Sequence, residues 1–246
     1  MSITLHEIAK MLDHSILQPF LTPDDVRKGC DIALEYGTAT VCARPYDMPL
    51  VVKRLRGSDV LPCTVIGFPH GAHHTSVKVF EAERALDDGC RELDMVINIG
   101  ALLAGETSYV RDEIAKLARL VHARKALLKV ILETCYLTDE QKRLACRLAE
   151  EAEADFVKTS TGYGTAGAKT ADVRLMRQSV SDKVRVKASG GIRTLDMALA
   201  CRLAGASRCG ISATAKIMEE AKARLTAGTL TETPRTPAED APDGAY

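Results

Sequence analysis

The chain has 246 residues, with 33 basic and 33 acidic side chains and a formal net charge of zero. Hydrophobic residues make up 46% and charged residues 27%, as in globular proteins that bury a large core. The balanced charge argues against a nucleic-acid or anionic-membrane partner, because both require a broad cationic field. No apolar run approaches the roughly 20 residues that cross a bilayer.

The cysteines indicate the redox environment. All eight are spread singly, with no Cys-x-x-Cys pair. A disulfide framework is typical of a short secreted chain, and this sequence is neither short nor preceded by a recognisable signal peptide. We therefore expect reduced thiols and a cytoplasmic location.

Short, β-branched apolar runs recur along the chain. Each is apolar on both faces, as in parallel strands that are covered on both sides. The predicted strands are 11–16, 39–43, 61–67, 91–97, 127–132, 155–158, 184–188 and 207–211. Amphipathic stretches lie between them, and two begin with capping signals, TPDD at 22–25 and TDEQ at 138–141.

The alternation of strand and helix predicts the architecture. About eight repeats favour a single (β/α)₈ barrel over a doubly wound open sheet, which usually has fewer units. We expect the barrel domain, with a short N-terminal helix, to span residues 1–226. Residues 227–246 are rich in Pro, Thr and acidic residues, so we expect a flexible C-terminal tail.

Three charged residues interrupt the apolar strand runs. Asp94, Lys158 and Lys187 lie where barrel enzymes hold reactive groups, towards the C-terminal ends of strands. A charge is costly to bury unless it is paired, so each residue is either structural or chemical. Two lysines on neighbouring strands favour chemistry, because like charges make one amine easier to deprotonate and hence nucleophilic. The set is suited to imine formation and carbon–carbon cleavage.

Glycines cluster after the predicted strand ends. They are Gly162, Gly190 and Gly191, with Gly210 and then Ser212 at the last strand. Glycines at such points let backbone N–H groups close around an anion, and barrels often bind phosphate after strands 7 and 8. The alternative is that these glycines only form tight turns.

Histidines offer a competing site. His70, His73 and His74 have a spacing that suits a metal, but no acidic ligand is near them in sequence. We therefore predict no metal and place these histidines in a loop at the barrel mouth. His14, in the first strand, either faces the pocket or fills the core.

Several motifs, in order, resemble those of the deoxyribose-phosphate aldolase family. They are LDHSIL at 12–17, TVCARP at 40–45, VIGFPHGA at 65–72, ELDMVINIG at 92–100, LKVILET at 128–134, VKTSTGYGT at 157–165 and VKASGGIRT at 186–194. The resemblance extends to about Met218. It implies reversible cleavage of 2-deoxyribose 5-phosphate into acetaldehyde and glyceraldehyde 3-phosphate, without metal or organic cofactor.

The resemblance also implies roles for residues. Lys158 matches the imine-forming lysine, Lys187 the neighbouring lysine that perturbs it, and Asp94 the proton-relay acid. Tyr246 matches a C-terminal tyrosine that assists proton transfer. The implied substrate and phosphate pocket consists of Asp13, Cys42, Gly162, Gly190, Gly191, Gly210 and Ser212.

Two positions depart from the family pattern. Tyr163 stands where some members have a lysine and others an aromatic residue, and Ala213 stands where a serine is frequent. Losing a donor from a phosphate pocket costs on the order of 1–3 kcal/mol of binding. An aldolase of the same mechanism for an unphosphorylated sugar therefore stays open as an alternative.

Two further alternatives belong to other functional classes. A phosphate-binding barrel isomerase explains the glycines but leaves the paired lysines unused. A non-enzymatic sugar-phosphate sensor needs no embedded Lys–Lys–Asp set. We expect the partners to be small sugar phosphates or aldehydes, and the chain to form a homo-oligomer, with a dimer as the expected state.

Overall fold

A computed structural model describes residues 3–236 of the chain. Eight parallel strands pair in chain order and close into a barrel, because β8 also pairs with β1. The strands are β1 (Leu12–Ile16), β2 (Thr40–Ala43), β3 (Leu61–Ile66), β4 (Glu92–Val96), β5 (Leu127–Ile131), β6 (Phe156–Lys158), β7 (Arg185–Ser189) and β8 (Arg208–Ile211). The predicted (β/α)₈ barrel is confirmed, and the open sheet was the wrong alternative.

Helices surround the barrel. Over residues 3–236 they are α1 (Leu5–Lys10), α2 (Pro23–Tyr36), α3 (Met48–Leu55), α4 (Thr75–Asp87), α5 (Ile99–Leu103), α6 (Thr107–Ala123), α7 (Asp139–Glu151), α8 (Thr170–Ser179), α9 (Leu195–Leu203) and α10 (Thr214–Thr226). The predicted short N-terminal helix is α1. In this part of the chain, no helix has both the length and the apolar character that a membrane crossing requires.

Local sequence signals explain where helices begin and end. Thr138 and Gln141 form a capping box at the start of α7, as predicted, and Thr22 forms another with Asp25 at the start of α2. Gly37 follows α2 with a left-handed φ of 65°, a conformation that glycine adopts without steric cost.

Alternation along the strands separates two environments. We call the layer between strands and helices the outer shell, and the space enclosed by the strands the barrel interior. On β4, Leu93 and Met95 pack in the apolar outer shell, whereas Glu92 and Asp94 form ion pairs across the interior. Successive residues of one strand therefore serve different purposes.

His14 illustrates the same alternation on β1. Its neighbour Asp13 points inward and forms ion pairs, while the His14 ring is buried towards α2 and α10. Its Nδ1 lies 2.9 Å from the Thr214 hydroxyl. Burial lowers the pKa of His14 to about 4, so the ring is neutral at pH 7. Of the two sequence-based alternatives, His14 fills the core.

The segment after α10 returns to the barrel. The Asp196 carboxylate, in α9, accepts hydrogen bonds from the backbone N–H groups of Arg235 and Thr236. Asp196 also pairs with Arg224 at 2.6 Å. The division between barrel and tail at residue 226 stays a prediction, and Tyr246 lies outside the described residues.

Candidate active site

Strand register brings the two predicted lysines together. Lys158 ends β6 and is the register partner of Lys187 on β7. Both side chains point into the barrel interior, where each Nζ atom lies 2.8 Å from Oδ2 of Asp94 on β4. The sequence-predicted Lys–Lys–Asp set therefore forms one contiguous group.

A third lysine completes the surroundings of Asp94. Lys129, on β5, donates to Asp94 Oδ1 at 2.7 Å and lies 2.7 Å from Glu92. Burial alone raises the pKa of Asp94, but the neighbouring side chains of Lys129, Lys158 and Lys187 outweigh it and hold that pKa well below the usual value. Asp94 is therefore held as a carboxylate at neutral pH.

An arginine joins the opposite side of the same network. Arg208, on β8, donates to both oxygens of Glu92 at 2.6 and 2.8 Å and to Asp13 at 2.8 Å. Asp13 in turn lies 2.5 Å from Lys187. Burial lowers the pKa of Lys187, but the carboxylates of Asp13 and Asp94 outweigh burial and raise it above the usual value. Lys187 is therefore held as a cation.

A cavity of about 400 Å³ opens above this network. Most of the sequence-predicted site residues line it, namely Asp13, Cys42, Lys158, Lys187, Gly190, Gly191, Gly210 and Ser212. Asp94 lies beneath the lysines and is not part of the lining. Gly162 lies behind Gly190, since a Cβ on Gly190 would come within 3.4 Å of the Gly162 Cα.

The loop after β7 needs its glycines. Gly190 and Gly191 have left-handed φ values of 87° and 73°. A Cβ on Gly190 would also lie 3.0 Å from the Cα of Gly167, so a side chain there is excluded by both conformation and space. The loop leads into α9, and the Ser212 hydroxyl belongs to the same cavity wall. Backbone N–H groups near a helix N-terminus and a hydroxyl suit an anion.

Comparison with known proteins decides the family. A family model described as DeoC/LacD family aldolase matches residues 8–219. The chain belongs to this aldolase family.

Relatives of this DeoC/LacD aldolase match it over most of their length. A protein named deoxyribose-phosphate aldolase from Thermococcus kodakarensis is 54% identical over 217 residues, which cover 87% of this chain and 97% of the relative. Another protein of the same name, from Rhodopirellula baltica, is 49% identical over 220 residues, which cover 89% of this chain and 91% of that relative. A solved structure is described as the unique tetrameric structure of deoxyribose phosphate aldolase from Aeropyrum pernix. It superimposes on this chain with a TM-score of 0.84 at 32% sequence identity, over 89% of this chain and 92% of that one.

Sequence reasoning missed three charged members of the interior of this aldolase. Glu92, Lys129 and Arg208 are buried inside the barrel and link Asp13 to Asp94. Each interrupts an apolar strand run, which is the signal that identified Asp94 and the other two lysines. The same test, applied to every strand, would have found all three.

Glu133 was also missed. It follows β5 with a left-handed φ of 56°, and its buried carboxylate accepts a hydrogen bond from the Thr161 N–H at 3.2 Å. Burial raises its pKa. Because Thr161 lies three residues after Lys158 and lines the cavity, Glu133 fixes the loop that leaves the lysine.

Tyr163 closes part of the cavity wall. Its hydroxyl donates to the Leu17 carbonyl at 2.9 Å, which joins the loop after β6 to the loop after β1. Its ring meets Phe68 edge-on, with centroids 5.4 Å apart. Where some relatives are expected to carry lysine, this chain therefore has an aromatic wall.

The histidine loop is separate from the ion network. His70, His73 and His74 are exposed, and His74 caps α4 by accepting from the Ser76 N–H. Among residues 3–236, one group has ligand atoms close enough to share a metal, within 4.8 Å: Cys42, Cys63 and Asp94. Since the Asp94 oxygens already contact the Nζ atoms of three lysines, the local potential disfavours a further cation.

Proposed function

We propose that this protein reversibly cleaves 2-deoxyribose 5-phosphate into acetaldehyde and glyceraldehyde 3-phosphate, with Lys158 forming the imine. One observation carries the proposal. Lys158 lines the cavity and, among residues 3–236, has a single carboxylate partner, which it shares with Lys187. A lysine surrounded by cations gives up its proton more easily, as a nucleophilic amine requires. The names of the relatives support the choice of substrate.

The proposed reaction begins at the C1 carbonyl of the open-chain sugar. The neutral Lys158 amine adds to C1, and loss of water gives a protonated imine. A base removes the C3 hydroxyl proton, the C2–C3 bond breaks, and its electrons neutralise the imine nitrogen as an enamine forms. Glyceraldehyde 3-phosphate leaves. The enamine is then protonated at C2, and water hydrolyses the imine to acetaldehyde and free Lys158.

The remaining residues of the group move and hold protons. Lys187 is the proposed acid, because Asp13 and Asp94 keep it charged next to Lys158. Asp94 is the proposed relay acid, and its contact with both lysines lets a proton pass between them through a bound water. Tyr246 is proposed, on the family resemblance, to protonate the enamine.

The glycine wall is the proposed phosphate pocket. Gly190, Gly191, Gly210 and Ser212 line the cavity on one side, and Gly162 packs behind them. Asp13 and Cys42 line the cavity beside the lysines and are proposed to contact the sugar. No metal or organic cofactor is required by these steps.

We also propose that the chain assembles as a homodimer in the cytoplasm. Exposed apolar side chains on the outer helices support self-association, with Val77 and Phe80 on α4 and Leu103 on α5. Size-exclusion chromatography with light scattering tests this, with twice the chain mass expected. A monomer would exclude association, and four times the chain mass would replace the dimer with a tetramer.

The substrate is tested by comparing kcat/KM for 2-deoxyribose 5-phosphate and for 2-deoxyribose, with a chelator present. We expect acetaldehyde release and a strong preference for the phosphorylated sugar. Equal or reversed preference would retain the Lys158 mechanism and move the substrate to an unphosphorylated sugar. No release from either sugar would reject the proposed activity.

A further inference from the structure

The barrel interior carries unequal numbers of opposite charges. We call the connected set the interior charge network; its members are Asp13, Glu92, Asp94, Lys129, Lys158, Lys187 and Arg208. All are 8% exposed or less. With every member ionised, four cations face three carboxylates. Since a buried excess charge is costly, the network favours the loss of one proton from a lysine.

The three lysines differ in their carboxylate contacts. Lys129 lies 2.7 Å from both Glu92 and Asp94, and Lys187 lies 2.5 Å from Asp13 and 2.8 Å from Asp94. Lys158 contacts only Asp94 Oδ2, which it shares with Lys187. Among these lysines, Lys158 is therefore the least compensated, and it lines the cavity.

We propose that Arg208 is a positioning residue which, by supplying the fourth cation, keeps Lys158 in its neutral amine form. The inference rests on the proposed function of Lys158. Arg208 does not line the cavity and cannot touch the substrate there; it acts through its contacts with Glu92 and Asp13. A guanidinium suits this position because it stays ionised at any pH at which the protein is active, and its fork of donors reaches Glu92 and Asp13 together.

The charge balance explains why removing Arg208 would matter at a distance. Without it, three lysines face three carboxylates and pair one to one: Lys129 with Glu92, Lys187 with Asp13, and Lys158 with Asp94. No excess charge then opposes the ammonium form of Lys158. Charges inside the barrel are poorly screened by salt, so the effect reaches across the network.

An aromatic ring supports the excess cation. The Phe156 ring, on β6, has the Arg208 guanidinium 5.8 Å from its centroid and Lys129 at 5.9 Å. Arg185, which is exposed, stacks on the same ring at 4.0 Å. A ring face attracts cations without adding a negative charge, so it lets the network tolerate Arg208 without cancelling its influence on Lys158.

Other titratable groups lie near Lys158 or near the network. Glu133 and Cys42 interact electrostatically with Lys158, Cys63 contacts Asp94, and Arg185 stacks on the Phe156 ring. All of them are retained when Arg208 is replaced. A difference between the variant and the wild type therefore reports the charge at position 208 and not the titration of these neighbours.

The test measures imine formation with acetaldehyde as a function of pH, trapped by cyanoborohydride in the full-length protein. We expect Arg208→Gln to move the pH of half-maximal trapping rate upwards by on the order of one unit, which is a tenfold loss of amine at a fixed acidic pH. Arg208→Lys keeps a cation and should leave this pH close to that of the wild type. Lys129→Met also leaves three cations and three carboxylates, so it should shift the pH upwards too, even if Arg208→Gln does not fold.

The outcomes separate the two proposals. Absence of trapping in the wild type would reject the imine function itself. Normal trapping in the wild type with an unchanged pH dependence in folded Arg208→Gln or Lys129→Met would overturn the role of Arg208 alone. A lower plateau rate without a pH shift would show a merely structural role and would also overturn it.

Discussion

The outer shell and the barrel interior are both buried, but they contribute differently. The shell is a continuous apolar layer between strands and helices, and burial of apolar surface there stabilises the fold. The interior holds the seven charges of the network, and the cost of desolvating them is offset mainly by their mutual attraction. Adjacent residues of β4, Leu93 and Asp94, belong to the two regions. Stability is therefore expected to reside mostly in the shell, and chemistry in the interior.

The largest expected loss of activity follows a substitution in the barrel interior. Lys158→Leu removes the nucleophile, so kcat/KM should fall by about 10⁴-fold or more. The free energy of unfolding should stay the same or rise, because the substitution replaces a buried polar amine by an apolar side chain and leaves three cations facing three carboxylates. Steady-state kinetics and urea unfolding of the same preparation measure both. Activity within tenfold of the wild type would assign the imine to another residue.

The matched substitution in the outer shell should lower stability and largely preserve activity. Leu93→Ala leaves a cavity next to Asp94 on the same strand and should lower the free energy of unfolding by about 2–5 kcal/mol. At a temperature where the variant is folded, kcat should change only a few-fold. If kcat fell more than a hundredfold in the folded variant, the two regions would not be separable.

His14 is a polar residue within the apolar outer shell, and its titration should affect how the free energy of unfolding depends on pH. Its folded pKa of about 4 lies below the unfolded value of about 6.5, so the unfolded chain binds more protons between these values. The free energy of unfolding should therefore decrease as pH falls from about 6.5 towards 4, and His14 should account for about 3 kcal/mol of this decrease. Urea unfolding of the wild type and of His14→Asn across this range measures it. If the free energy of unfolding depended on pH equally in both proteins, the lowered pKa of His14 would be contradicted.

The smallest effect is expected at the surface of the shell. Thr138→Ala removes the capping box of α7 and should lower the free energy of unfolding by about 1 kcal/mol, with kcat/KM unchanged. Thermal or urea unfolding checks the stability, and the aldol assay is the control. A loss of activity would mean that α7 is coupled to the barrel interior, contrary to the separation of the two regions.

Sequence patterns predicted the shell well because its signals are local. Apolar β-branched runs located all eight strands to within one or two residues, and the capping box at Thr138 placed the start of α7. Charges inside apolar runs likewise identified Asp94, Lys158 and Lys187, and the structure brings these three together.

The pairing inside the barrel was beyond sequence reasoning. Arg208 and Glu92 are 116 positions apart, and their contact depends on barrel closure and on which strand faces which. The hydrogen bond from Tyr163 to Leu17 also joins two distant loops. An embedded charge shows that a partner is needed, but it does not identify the partner. For that reason the sequence indicated three reactive groups and not the charge network that surrounds them.

The most direct test of the central claim is to map the trapped imine. The wild-type protein is incubated with acetaldehyde and borohydride, digested, and analysed by mass spectrometry. We expect the mass increase of a single ethyl group on the peptide that contains Lys158, with Lys129 and Lys187 unmodified. An ethyl group on either of those lysines, or no modification, would contradict the account of how this barrel interior works.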